Sequence, residues 1–135
     1  MKEKLEELLR KFSSEIGSTF IATGIVNIDG GLEAYTASET LGKAYNLQRS
    51  ASIFAMIVNI LNKTLCEIYE GREEAVEEML VTSKKSCFIV TMIKPDKYFH
   101  GATFTIESDI DKVREVINKY KAEFAEVLKY GSSPD

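Results

Sequence analysis

The chain has no tryptophan, a single histidine, two cysteines and two prolines among its 135 residues. These scarcities exclude a good deal. His100 stands between Phe99 and Gly101 with no Cys or carboxylate at ligand spacing, so a centre built on several imidazoles cannot be assembled, and a structural histidine is expected. Cys66 and Cys87 lie 21 positions apart among apolar neighbours. That spacing supplies neither a disulfide framework nor a zinc pattern, and both are expected to be buried free thiols. Positive charge is short as well: 17 Lys and Arg face 21 Asp and Glu, for a net charge of -4 and a pI near 5.2. Cations scattered among carboxylates make no concentrated field for nucleic acid and no basic membrane-surface helix. No uninterrupted apolar run reaches the roughly 18 residues of a bilayer span. The first residues, Met1-Lys2-Glu3-Lys4-Leu5-Glu6-Glu7, carry acids where a signal peptide has its apolar core, so a cytoplasmic location without membrane insertion is expected.

What is present is an ordinary folded composition, 44% hydrophobic and 28% charged, in a length that suits one domain over 1–135. Leu5, Leu8, Leu9, Phe12 and Ile16 recur at helical spacing up to Gly17. Phe20 to Ile28 then reads as a strand, Asp29-Gly30-Gly31 as a hairpin turn with positive φ at both central residues, and Leu32 to Ala37 as the returning strand. Gly24, inside the first strand, marks a close approach of neighbouring backbone or a bulge. Ser38 or Thr40 can cap a helix from about Lys43 to Tyr69 that Gly71 ends. Strands follow at Ala75 to Thr82, Cys87 to Ile93 and Tyr98 to Ile106, joined by Ser83-Lys84-Lys85-Ser86 and Lys94-Pro95-Asp96-Lys97. Cys87 to Ile93 has one polar member in seven and is expected to be covered on both faces. After a cap at Ser108 or Asp109, a last helix carries Ile110, Val113, Ile117, Tyr120, Phe124 and Val127, and Gly131 to Asp135 is expected to be a frayed tail.

The central helix is the informative segment. Ser50 to Asn62 contains no charged residue in thirteen. Leu47, Ala51, Ile53, Phe54, Ile57, Val58, Ile60, Leu61, Leu65 and Ile68 fill an apolar arc of roughly 180°, much wider than the stripe of about 100° that one sheet face covers. A second protein surface is therefore expected on it, first of all a second copy of the chain. Opposite the large aliphatics, Gln48, Ser52, Ala55, Met56, Asn59, Asn62 and Lys63 form a weakly polar arc of about 120°. A face meant only for water would carry Glu and Lys, so Gln48, Ser52, Met56, Asn59 and Lys63 are the candidate partner contacts.

The usual chemical motifs are missing. Gly42-Lys43 lacks the glycines and the following Ser or Thr of a phosphate loop, and the acid pairs Glu6-Glu7, Glu73-Glu74 and Glu77-Glu78 sit on exposed elements with nothing to raise a pKa. No catalytic residue, cofactor or metal is expected, and the chain reads as a non-enzyme. Glycosylation at Asn62-Lys63-Thr64 is discounted, since the triplet falls inside a helix.

The element order, together with Gly24-Ile25-Val26-Asn27-Ile28-Asp29-Gly30-Gly31-Leu32-Glu33-Ala34 and the long Ala/Ile/Leu-rich helix after it, resembles the roadblock / dynein light chain domain family over about Lys2 to Leu128. Longin and profilin-like domains share much of this layout. The resemblance implies an α/β (α+β) fold: a five-stranded antiparallel sheet with the long helix on one face and both terminal helices on the other. It also implies a homodimer formed through the third strand, Met79, Leu80 and Val81 included, and through the central helices at Ile53, Ile57 and Ile60. Its functional implication is a regulator or scaffold for a small Ras-like GTPase, or a light-chain-type assembly subunit. Glu107-Ser108-Asp109 departs from the family's Asn-Leu-Gly run before the last helix. The rival from another class is a profilin-like sensor enclosing a small ligand, for which no convergent set of polar groups is visible.

Overall fold

The computed structural model describes residues 1–94 and 97–131. In chain order the elements are α1 (Lys2–Ile16), β1 (Phe20–Asn27), β2 (Leu32–Ala37), α2 (Leu47–Ile68), β3 (Glu78–Thr82), β4 (Ser86–Lys94), β5 (Tyr98–Thr105) and α3 (Ile110–Gly131), with a short 3-10 turn, Gly17–Thr19, after α1. The strands form one antiparallel sheet in the order β2-β1-β5-β4-β3, so β1 and β5 meet at its centre and β2 and β3 are its edges.

Strand alternation divides the interior into two layers. Ile25, Ile89, Ala102 and Phe104 point toward α1 and α3, which supply Leu5, Leu9, Phe12, Val113, Ile117, Tyr120, Phe124 and Leu128. Val26, Val90, Met92 and Phe99 point the other way, toward Ala51, Ala55 and Val58 of α2. The expected placement of one long helix on one face and two terminal helices on the other is thus observed. The first layer is rich in aromatics and large aliphatics, while the fully buried side chains of α2 are two methyls and an isopropyl, with Phe54 half-buried beside them. By area burial those three side chains contribute on the order of 3 kcal/mol, little for a helix of 22 residues.

Several local details differ from the sequence-based expectations. The cap of α2 is Asn46, whose Oδ1 accepts from the Arg49 N–H at 3.0 Å, and the helix begins four residues later than Lys43. Ser38 instead accepts from the Leu41 N–H, closing a separate turn. The 38–46 connection is held by Tyr45, whose hydroxyl lies 2.6 Å from Ser50 Oγ and accepts from Thr103 Oγ1 at 2.9 Å. β3 begins at Glu78 and not at Ala75, because the Val76 N–H is taken by Asn62 Oδ1 of α2 at 2.7 Å.

In the first hairpin only Gly30 adopts a positive φ, 98°, while Asp29 does not. The Gly30 N–H donates to the Asn27 carbonyl, and Asn27 Oδ1 accepts from the N–H groups of Asp29 and Gly31. The loop is therefore a three-residue turn organised by Asn27. Cys87 is buried but Cys66 is only half-buried, with its thiol 3.4 Å from the Glu74 carbonyl oxygen. Asp109 is the α3 cap, accepting from the Lys112 N–H, and the helix continues through Gly131. Ser132 to Asp135 of the expected tail, and Pro95-Asp96 of the expected turn, lie outside the described residues.

His100 is fully buried on the α1/α3 side, edge-on to Phe12 and tilted against Phe124. The Thr23 hydroxyl donates to the Gly101 carbonyl at 2.8 Å and so accepts from His100 Nε2, 2.7 Å away, which sets the tautomer. Burial pushes the imidazole from its ordinary 6.5 down to about 3. Between those values the unfolded chain binds a proton that the folded chain refuses, so this contribution is complete above pH 6.5 and is lost as pH falls toward 3. Lowering the pH from 7.5 to 5 is expected to cost the native protein about 2 kcal/mol more than it costs a His100→Gln variant. Urea unfolding of both proteins at the two pH values checks this; equal losses would remove the assignment.

Candidate functional site

The way α2 is seated defines the site. Its sheet-facing stripe is Ala51, Ala55 and Val58, so Ala55 belongs to the inner face and not to the weakly polar outer arc expected of it. Small residues let the helix lie close to the sheet, and the large aliphatics are turned outward. Ile53 is 41% exposed, Met56 57% and Ile60 58%, while Ile57, Leu61 and Leu65 are half-buried. Ile68 at the end of the helix and Tyr69 just past it extend the exposed apolar surface. By length and composition alone α2 is long and apolar enough to cross a membrane over an 18-residue window that admits charged residues, whereas the uncharged run between Arg49 and Lys63 has only thirteen. Only 17% of that window is buried.

The sheet edge continues the surface. β3 pairs on one side only, with Met79 opposite Val90 and Val81 opposite Phe88, so these two side chains share the face on which α2 lies. Leu80, opposite Ile89, points to the α1/α3 face. Leu80 and Val81 remain 38% and 40% exposed, and Met79 is half-buried against the cluster that α2 and the sheet share. An open edge strand with apolar side chains beside an outward-facing apolar helix is a surface that soluble protomers rarely leave bare.

The polar arc is explained in part by the chain itself. Asn59 Nδ2 donates to the Ile28 carbonyl at 2.9 Å and to the Ala55 carbonyl at 3.0 Å, tying α2 to the first hairpin. Ser52 packs against Gly30, where an added Cβ would come within 3.3 Å of the Ser52 Cα. Asn62 holds Val76, as described above. Gln48, Met56 and Lys63 are exposed, and no hydrogen bond or ion pair of theirs is seen among the described residues. Asn59 and Asn62 are roles that sequence reading missed; the available signal was an uncharged amide inside a helix, which reaches backbone more readily than a charged group does.

Elsewhere the geometry offers little chemistry. Among the described residues no three His, Cys, Asp or Glu side chains are grouped to hold a metal ion. Gly42 has a packing reason: an added Cβ would lie 2.6 Å from the Ser38 carbonyl oxygen and 3.0 Å from that of Ile21. Between α2 and the sheet, bounded by Tyr45, Phe54, Phe88, Gly101 and Thr103, is a cavity of only about 30 Å³.

A five-stranded antiparallel sheet with one long helix on one face and two terminal helices on the other is the profilin-like arrangement, in its roadblock form. Similarity to solved structures bears this out. Myxococcus xanthus MglB superposes with a TM-score of 0.82 over 98% of this chain and 94% of that one, at 14% sequence identity. A Roadblock/LC7 domain from Streptomyces avermitilis gives a TM-score of 0.66 over 89% and 97% of the two chains, at 10% identity. Schizosaccharomyces pombe profilin gives 0.59 over 96% and 99%, at 11% identity. No family model matches the sequence, and no curated protein matches it. The likeness is one of fold, and it agrees with the family that the sequence resembles.

Proposed function

We propose that the chain is a non-catalytic homodimeric regulator or scaffold that binds a small Ras-like GTPase. The observation that carries the reading is the set of exposed apolar residues on α2 together with the open edge of β3. Ile53, Ile57 and Ile60 with Met79, Leu80 and Val81 form the dimer seam, and Gln48, Ser52, Met56, Asn59 and Lys63 lie beside it for the GTPase. The resemblance to roadblock domains, together with the likeness to MglB, supports the choice of partner class. A dimer that positions another protein needs no nucleophile or base of its own, and His100, buried and neutral, is out of reach of any substrate.

Size argues against a small ligand enclosed between the sheet and the long helix. Ligand pockets run to roughly 300–1,000 Å³, whereas the enclosed space under α2, about 30 Å³, holds a water or two.

The test is a titration of the purified protein with the small GTPases of its own cell, each loaded with GDP or with a GTP analogue. One of them is expected to bind in a nucleotide-dependent way. Met56→Glu combined with Lys63→Glu should weaken that binding at least about tenfold while leaving the oligomeric mass unchanged, since both side chains are exposed and free of internal bonds. Binding that survives the double change would move the contact off this face, and the absence of any GTPase complex would favour the light-chain-type assembly subunit.

A further inference from the structure

At the end of the sheet where β1 begins and β5 finishes, a groove of about 700 Å³ lies between three segments. The 38–46 connection lines it with Leu41, Ala44 and Tyr45, the tight β3–β4 turn with Lys84 and Lys85, and the residues after β5 with Ile106 and Glu107; Ile21 of β1 lies among them. Both walls are fixed by backbone bonds before anything binds. The Gly42 N–H donates to the Ser38 carbonyl at 2.9 Å and the Ser38 N–H to the Ile21 carbonyl at 2.8 Å, which ties the first wall to β1. The Ser83 N–H donates to the Ser86 carbonyl at 2.8 Å and the Ile106 N–H to the Lys85 carbonyl at 2.9 Å, which ties the second wall to the end of β5. On this frame Leu41 and Ile106 are held out at 43% and 39% exposure, in connections where polar residues are the rule. Charge here runs against the rest of the chain. The net charge is -4, yet the charged side chains lining the groove are two lysines and one glutamate, and neither lysine joins an ion pair seen among the described residues.

We propose that this groove docks an extended segment of another protein, one that carries a large apolar side chain beside carboxylates. The apolar side chain packs against Leu41 and Ile106, and the carboxylates meet Lys84 and Lys85. Charge complementarity selects this occupant: an acidic segment is repelled by most of an acidic chain and attracted here. Two lysines on a chain of net negative charge give nucleic acid or an anionic membrane too little field to hold. A small polar ligand finds few free groups, because the Tyr45 hydroxyl is already shared between Ser50 and Thr103. The preformed walls keep the ordering cost of binding low. Docking here is separate from the GTPase contact proposed for α2, since Asn59 of α2 bonds the Ile28 carbonyl just beyond the other end of β1. The lysines stand in water at the rim, so added salt weakens the contact, over a Debye length of about 10 Å at moderate ionic strength.

The experiment titrates the full chain with a short synthetic peptide in which one leucine is flanked on both sides by glutamates, read by backbone amide NMR shifts. Saturable shifts are expected at Leu41, at Lys84 to Ser86 and at Ile106, with affinity falling as salt is added. Peptides with lysine in place of glutamate, or serine in place of leucine, should bind at least about tenfold more weakly. Lys84→Glu with Lys85→Glu, and separately Leu41→Ser, should each weaken the glutamate peptide by a similar factor. These side chains are exposed, so circular dichroism should stay native. Met56→Glu with Lys63→Glu on α2 should leave peptide affinity nearly unchanged. No saturation at millimolar peptide, or equal affinity for the native chain and the groove variants, would overturn the proposal. Groove shifts that already change on dilution of the free chain would name a second copy as the occupant, and would overturn it too.

Discussion

Ile60→Lys should turn the proposed homodimer into a folded monomer. In a single protomer Ile60 is 58% exposed, on the side of α2 away from the Ala51, Ala55 and Val58 stripe, so a lysine there reaches water and disturbs no packing. In the seam the same ammonium would be buried without a partner, a penalty on the order of 3–5 kcal/mol. Association should weaken by roughly a hundredfold or more. Ile57 lies nearer the centre of the apolar arc, but it is half-buried in the protomer, so a charge there would mix damage to folding with damage to association. Light scattering across a dilution series, alongside circular dichroism, separates the two. A variant that keeps the native oligomeric mass would place the seam elsewhere.

Val58→Asp, two residues away, should have the opposite character. Val58 is fully buried, and with Ala51 and Ala55 it forms the contact of α2 with Val26, Val90, Met92 and Phe99. A carboxylate there has no hydrogen-bond donor designed for it, and a loss of about 3–5 kcal/mol is expected, a large share of the roughly 5–15 kcal/mol that holds a typical domain together. Because α2 rests on the sheet mainly through this stripe, the helix should come loose first. Urea unfolding and hydrogen exchange along α2 would show it; native protection of α2 in the variant would mean that the helix is seated by another face.

These two residues mark the boundary between what the sequence determines and what it leaves open. Patterns with one possible reading were legible. Leu5, Leu9 and Phe12 have a single apolar stripe and face the sheet; Cys87 to Ile93 is apolar at nearly every position and is covered on both sides; Asp29-Gly30 reverses the chain. From these the roadblock-type layout followed, as did the presence of more apolar surface on the central helix than one sheet can cover. The rotation of α2 about its own axis was not legible. A helix apolar over half its circumference can meet a sheet through its large aliphatics or through its alanines, and periodicity alone does not rank the two. Tertiary structure decided it: the 38–46 connection anchored at Tyr45, the bond from Asn59 to Ile28 and the bond from Val76 to Asn62 hold the helix at three points, and in that orientation Ala51, Ala55 and Val58, with Phe54 beside them, face inward. The composition of the exposed surface was therefore written locally, in which residues are apolar. Its direction depended on hydrogen bonds between segments far apart in the chain, and local propensity carries no information about those.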